Sequence, residues 1–176
     1  MGASEFEEAY ENEPADRERE GRRLFETLLT APIRTLGPRP AISVPPTATI
    51  AESIRLMLDH GIGAVLVERE GRAVGIFTER DVMRWVVSAG ASGSRPVAEV
   101  MTGNPETLGL DDRIAYALHR MIVGGFRHIP IVDAGGRPLA VLSQRELVAF
   151  IVSELPDRVM NLPPDPRLEA QSPDGG

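Results

Sequence analysis

The sequence predicts an α+β fold made of two tandem copies of a β-α-β-β-α unit. The first observation is self-similarity: a shift of 64 residues aligns Ile50 with Ile114, and a shift of 65 residues aligns Gly71 with Gly136. The second is that helical and alternating hydrophobic patterns occur in the same order in both copies. The two copies take up roughly 130 of the 176 residues, which is enough for two small cores packed together.

The first copy begins with a short β segment at Ala41–Val44, and an amphipathic helix follows it. Thr49 and Glu52 have the spacing of a capping box at the start of this helix, and Gly61 is suited to end it. The predicted apolar stripe of the helix consists of Ile50, Ile54, Met57 and Leu58. The remaining elements are strand Ala64–Val67, a turn at Glu70–Gly71, strand Ala73–Phe77 and a second helix over Glu79–Ser88.

The second copy repeats this order from a β segment at Glu106–Leu108. Asp111 and Asp112 are expected to cap the helix that follows, and Gly125 to end it. The apolar stripe of this helix is predicted as Ile114, Leu118, Met121 and Ile122. Strand Ile129–Val132, a turn at Ala134–Gly136, strand Leu139–Leu142 and a helix over Arg145–Ser153 complete the copy.

The two ends of the chain differ from the repeats in composition. Residues 1–23 hold eight acidic side chains against four arginines, and prolines recur after Ser153. Both ends are expected to lack packing of their own, although they could also bind a partner. The predicted organisation is an acidic tail at 1–23, a first repeat with its lead-in at 24–90, a second repeat at 91–153 and a proline-rich tail at 154–176.

Composition excludes several classes of function. The chain has no cysteine, which excludes disulfides, Cys-based metal sites and a thiol nucleophile. Its three histidines lie far apart in sequence, so no metal site is predicted. The net charge of −7 argues against a basic nucleic-acid surface, and no apolar run reaches the length of a membrane span. A cytoplasmic protein is expected.

Two full signatures and one shorter segment resemble a known family. They are V-x-x-x-G-R-x-V-G-I-F-T-E-R-D at 67–81, R-H-I-P-I-V-D-A-G-G-R-P-L-A-V-L-S-Q-R-E at 127–146 and M-T-x-N-P-x-T-L at 101–108. Together they resemble a tandem pair of CBS domains (a Bateman module) over residues 33–153. The resemblance implies a pseudo-twofold pair whose clefts bind adenosine-containing ligands and regulate another protein, with no catalysis and no required cofactor.

The resemblance also implies that each cleft is built crosswise, from the T-x-x-D turn of one copy and the first two strands of the other. The first cleft would consist of Thr78, Arg80, Asp81, Thr102, Pro105, Glu106, Arg127 and His128. A carboxylate at Asp81 suits a ribose diol, and a guanidinium suits phosphate. His128 would gain charge near pH 6.5, which would strengthen phosphate binding on acidification. Other interpretations remain open: a capping box of Thr78 with Asp81, a surface charge at Arg127 and a structural histidine.

The second cleft departs from the family pattern and is expected to bind weakly. It would consist of Gly37, Ala41, Gly63, Ala64, Ser143, Arg145 and Glu146. Glu146 stands where the family has Asp, and Ala140 stands where it has Gly. Gly63 and Ala64 supply no cation where Arg127 and His128 do in the first cleft.

An apolar stripe on the second helix of each copy is predicted to form a homodimer interface. Its members are Val82, Trp85, Val86, Leu147, Phe150 and Ile151. The alternative is that this face packs within the pair. Five further side chains, Met57, Phe77, Met121, Phe126 and Leu142, are assigned to packing rather than to a ligand site.

The sequence is compatible with three candidate functions. The leading one is a regulatory module that binds AMP, ADP or ATP, or else S-adenosylmethionine or NAD, and modulates an unidentified protein partner. The second is a dimerising scaffold that binds no ligand. The third is a nucleotide-processing enzyme, which would need a base and a nucleophile in position, and the sequence shows no such set.

Overall fold

The computed structural model describes residues 19, 21–23, 26, 27 and 29–153. The predicted proline-rich tail and nearly all of the predicted acidic tail lie outside the described residues, as do Leu24, Phe25 and Leu28 of the lead-in. No helix in the described part of the chain is both long enough and apolar enough to cross a membrane.

The described elements follow the predicted order, with one correction. The β segment predicted at Glu106–Leu108 is only a single bridge at Leu108, and the second repeat instead begins with a short strand at Thr102–Gly103 that pairs with the first sheet. The first repeat contains β1 (Ser43–Val44), α1 (Ile50–His60), β2 (Ala64–Arg69), β3 (Arg72–Thr78) and α2 (Glu79–Asp81), which continues as a π-helix over Val82–Ser88. The second repeat contains β4 (Thr102–Gly103), α3 (Ile114–Gly124), β5 (His128–Val132), β6 (Pro138–Ser143) and α4 (Gln144–Ser153). A 3-10 turn lies ahead of the first strand of each repeat, at Ile33–Leu36 and at Val97–Glu99. The predicted α+β repeat is therefore confirmed.

At one edge of each sheet, the pairing partner comes from the first residues of the other repeat. In the first sheet β1 runs parallel to β2, and β2, β3 and β4 pair antiparallel in that order. The second sheet is the β5–β6 hairpin, which Leu108 extends through a parallel bridge to Ile131. Pro40, near the start of the first repeat, forms an antiparallel bridge to Ala140 of β6. This exchange holds the two repeats together and brings their β segments side by side.

The 3-10 turns are exchanged in the same way, so each core depends on residues assigned to the other repeat. Ile33 is fully buried in the core of the second repeat, and its amide donates to Asp112 O at 2.8 Å. Val97 is fully buried in the core of the first repeat, and its amide donates to Ala48 O at 2.8 Å. Since apolar burial is the main force that holds a domain together, neither core is complete within its own repeat.

The starts of the two equivalent helices differ. Thr49 and Glu52 form the predicted capping box of α1. The predicted cap of α3 by Asp111 and Asp112 is wrong, because the N-cap is Arg113, which makes no side-chain cap hydrogen bond. Asp111 instead forms an ion pair with Arg34, and Asp112 Oδ2 accepts from the Gly109 amide at 2.7 Å. Both carboxylates stabilise the turn before the helix and its contact with the lead-in.

Gly61 and Gly125 end α1 and α3 in left-handed geometry, with φ of 58° and 66°, as predicted. The predicted stripes of these helices were wrong at one position each. Leu58 is 76% exposed and the equivalent Ile122 is 68% exposed. Leu58 follows the buried Met57, and Ile122 follows the buried Met121. The apolar face that each helix buries is therefore narrower than helical spacing alone predicts.

Candidate functional site

A cavity of about 460 Å³ lies where the two repeats meet. It is lined by Ile76, Thr78, Glu79, Arg80, Asp81, Met83, Thr102, Pro105, Glu106, Phe126, Arg127 and His128. The structure thus brings together all eight residues predicted for the first cleft. One wall of the cavity comes from β3 and the helix that follows it, and the other comes from the segment 102–106 and the residues at the start of β5. The volume lies within the range of small-molecule sites, about 300–1,000 Å³.

Thr78 and Asp81 form a capping box at the point where β3 ends and α2 begins. Oδ2 of Asp81 accepts from the Thr78 amide at 2.9 Å and from the Thr78 hydroxyl at 2.7 Å. The capping interpretation of this pair is therefore confirmed. Both of these bonds use Oδ2, so the second carboxylate oxygen of this buried side chain lies outside the capping box. The cap holds the carboxylate in one position on the cavity wall.

The cationic groups of the cavity differ in what they contact. Nη1 of Arg80 donates to the Gly125 carbonyl at 2.6 Å, at the C-terminal end of α3, where a positive charge is favourable. Arg127 is exposed at the start of β5 and lines the cavity. Glu106 is bound by both Nε and Nη2 of Arg120, the latter at 2.6 Å from Oε2. These hydrogen bonds hold the pKa of the Glu106 carboxyl below its usual value.

His128 lies half-buried between the two repeats. Its Nε2 is 3.0 Å from the position that a Cβ at residue 63 would occupy, and Oε2 of Glu79 is 3.3 Å from the same position. Burial lowers the pKa of His128, against the opposing effect of Glu79 and Glu146. The imidazole therefore gains its charge below pH 6.5, at a lower pH than the sequence alone predicted.

Three apolar side chains of the cavity, Ile76, Met83 and Phe126, were not predicted as site residues. Phe126 was assigned to packing, and it does contact the second core while its half-buried ring also lines the cavity. Glu79 is a variable position within the T-x-x-D turn, and Met83 lies two residues after the turn. Both line the cavity together with Thr78. Arg120 carried no sequence signal, because it reaches Glu106 across 14 positions through the fold.

The residues predicted for the second cleft have contacts of their own. Ser143 and Glu146 form the same reciprocal pair as Thr78 and Asp81, with Glu146 Oε2 at 2.7 Å from the Ser143 amide and hydroxyl. Ala64 is buried opposite Thr78 in the β2–β3 ladder, and Ala41 packs beside it. Gly63 faces His128 and Glu79 of the first cleft. Gly37 ends the first 3-10 turn in left-handed geometry, and Arg145 is exposed on α4.

The predicted apolar stripe is more buried than expected. Leu147 is only 1% exposed and lies in the core of the second repeat, so its placement on an exposed stripe was wrong. Val82, Trp85 and Val86 pack against the first core and Phe150 against the second, with Ile151 half-buried. The exposed apolar side chains on these helices are instead Met83, Val87 and Val148.

Two repeats that exchange edge segments around a shared cavity match a known family. A family model described as CBS domain matches residues 33–88 and 97–153. The chain belongs to the CBS-domain family. A curated relative from Acidianus ambivalens, an uncharacterized 17.7 kDa protein, is 34% identical over 110 residues. The match covers 62% of this chain and 66% of that protein, so the chain spans just under two thirds of this relative.

Solved structures of CBS proteins share the fold. The CBS-domain containing protein ATU1752 of Agrobacterium tumefaciens is 30% identical, with a TM-score of 0.63 over 68% of this chain and 98% of that chain. A CBS domain protein of Pyrobaculum aerophilum, complexed with AMP, is 24% identical, with a TM-score of 0.62 over 69% of this chain and 98% of that chain. Both likenesses cover about two thirds of this chain and nearly the whole of the solved chain.

Proposed function

We propose that this chain is a regulatory module that binds an adenosine-containing nucleotide in the cavity between its repeats and thereby modulates a partner protein. The observation that carries the proposal is the cavity itself. It combines an apolar wall with a fixed carboxylate and exposed guanidinium groups, contributed by both repeats. The AMP bound by the Pyrobaculum protein is the kind of ligand that such a lining suits.

Each part of a nucleotide has a group suited to it. The apolar wall of Ile76, Met83 and Phe126 offers a surface for a planar base. The carboxylate oxygen of Asp81 outside the capping box can accept hydrogen bonds from a ribose diol. Arg127 can bind a phosphate through two parallel hydrogen bonds. No catalytic step is part of this proposal.

Regulation would follow from the fact that the ligand touches both repeats. A ligand shifts an equilibrium between two arrangements only by its difference in affinity for them, and a site divided between repeats is sensitive to their relative position. The partner would sense that position. We also propose a cytoplasmic location for the chain, and fractionation of cells that express the tagged chain would test it.

A thermal-shift panel tests the proposal. We expect at least one of AMP, ADP, ATP, S-adenosylmethionine and NADH to raise the melting temperature, because a ligand at about a hundred times its Kd adds about 2.7 kcal/mol of stability. Arg127→Ala should reduce the shift given by a phosphorylated ligand. Arg55→Ala, which removes an exposed arginine from α1, is the matched control and should leave the shift unchanged. A panel without any shift would favour the scaffold function.

We also propose that the chain forms a homodimer through the exposed apolar side chains of α2 and α4. Val87 and Val148 are 64% and 53% exposed, and neither lines the cavity. A pair of such surfaces suits a self-complementary interface. Val148→Asp is expected to shift the mass measured by light scattering from dimer to monomer, because it would bury a charge in the interface. A wild-type monomer, or a dimer that survives this substitution, would contradict the proposed interface.

A further inference from the structure

The charges that line the cavity do not favour a highly anionic ligand. Three carboxylates face two guanidinium groups in the lining: Glu79, Asp81 and Glu106 against Arg80 and Arg127. Asp81 is also occupied in part by the capping box with Thr78. A site for a long polyphosphate would need an excess of cations, and this lining has none.

Two of these five groups are already paired within the protein. Arg80 donates to the Gly125 carbonyl at the end of α3, so part of its hydrogen-bonding capacity is taken. Glu106 is neutralised by Arg120, which holds it with two hydrogen bonds. Among the described residues, Glu79 has no salt-bridge partner, so its charge stays uncompensated at the cavity wall.

Glu79 lines the same cavity as Arg127, the proposed phosphate ligand. Its Oε2 and the Nε2 of His128 both lie within 3.3 Å of a single position above Gly63. His128 is adjacent in sequence to Arg127 at the start of β5. Burial lowers the pKa of His128, so the imidazole adds no positive charge at neutral pH.

We propose that Glu79 makes this cavity selective for adenosine compounds of low negative charge, binding adenosine and AMP more tightly than ADP and ATP. The inference rests on the proposed function and specifies its ligand class. A phosphate monoester brings about two negative charges at neutral pH, and each further phosphoryl group adds charge to a ligand in the cavity that Glu79 lines. Like charges close together repel, and because the Glu79 carboxylate is exposed this repulsion weakens as the salt concentration rises.

The test is titration calorimetry of the full chain with adenosine, AMP, ADP and ATP in EDTA, so that no divalent cation masks the phosphates. We expect AMP to bind about 10-fold more tightly than ATP. Glu79→Gln should reduce this ratio about 5-fold, mainly by improving ATP binding. Glu70→Gln is the matched control, since it removes the same charge from the β2–β3 turn, about 17 Å along the hairpin and beyond the Debye length.

The outcomes separate this inference from the proposed function. ATP binding as tightly as AMP to the wild type would overturn the selectivity. A ratio that Glu79→Gln leaves unchanged, or that Glu70→Gln changes equally, would overturn the role of Glu79 while the nucleotide site stands. Absence of binding by all four compounds would overturn this inference, and the proposed function would fall with it only if S-adenosylmethionine and NADH also gave no thermal shift. A melting curve of each variant without ligand shows whether it is folded.

Discussion

Ile33→Ala is expected to lower the free energy of unfolding by about 3 kcal/mol, measured by urea denaturation followed by circular dichroism. Ile33 lies at the start of the first repeat, but its side chain is fully buried against the core of the second repeat, which includes Ile114 and Leu142. Its removal would leave a cavity that these neighbours cannot fill without distortion. Truncation of a residue in a solvated connecting segment would have almost no effect.

A control in the same turn separates the buried side chain from the turn itself. Thr35→Ala, at an exposed position of the 3-10 turn, should change the unfolding free energy by less than about 0.5 kcal/mol. Val97→Ala, at the equivalent place at the start of the second repeat, should cost about 2 kcal/mol because Val97 fills the core of the first. A loss below about 1 kcal/mol for Ile33→Ala would show that the exchanged segment is peripheral.

Asp81→Ala is expected to weaken AMP binding at least about 10-fold in titration calorimetry, because the substitution removes the carboxylate proposed to accept the ribose hydroxyls. It should also destabilise the free protein by about 1 kcal/mol, since the capping box with Thr78 is lost at the start of α2. The two effects have different physical origins. They can be separated, because the described part of the chain has another capping box of the same kind that lies outside the cavity.

Glu52→Ala is the matched control for Asp81→Ala. Glu52 accepts from the amide and the hydroxyl of Thr49, both at 2.8 Å, in the arrangement that Asp81 has with Thr78. It caps α1, is exposed and does not line the cavity. Loss of its cap should reduce stability by a similar amount and leave AMP binding unchanged. If Asp81→Ala also binds AMP with wild-type affinity, Asp81 is a capping residue alone and the proposed ribose contact is wrong.

The local elements could be predicted because their causes are local. Helical spacing, the capping box at Thr49 and the glycines that end α1 and α3 depend on neighbours within a few residues. Prediction failed where a contact comes from elsewhere in the chain. Asp111 faces Arg34 from the lead-in, so it does not cap α3, and Leu147 is buried because α4 packs against the second sheet.

In the site, too, the residues with local sequence signals could be predicted and those that depend on distant contacts could not. The family signature located the turn with Thr78 and Asp81, and the eight residues assigned to the first cleft line one cavity. Glu79 and Arg120 had no comparable signal, because their importance depends on charge and on which groups lie nearby in space. Glu79 stands beside His128 only when the two repeats face each other, and Arg120 reaches Glu106 only from α3.

By itself, the amino-acid sequence determined that the chain consists of two similar β-α-β-β-α units, since repetition and hydrophobic period are properties of order along the chain. Only the tertiary structure decided that Ile33 and Val97 each complete the core of the other unit, and which charges along the shared cavity remain unpaired. The physical reason is that burial and electrostatic energies depend on distances in space. Residues far apart in sequence come close enough for these energies to matter only when the two units pack together.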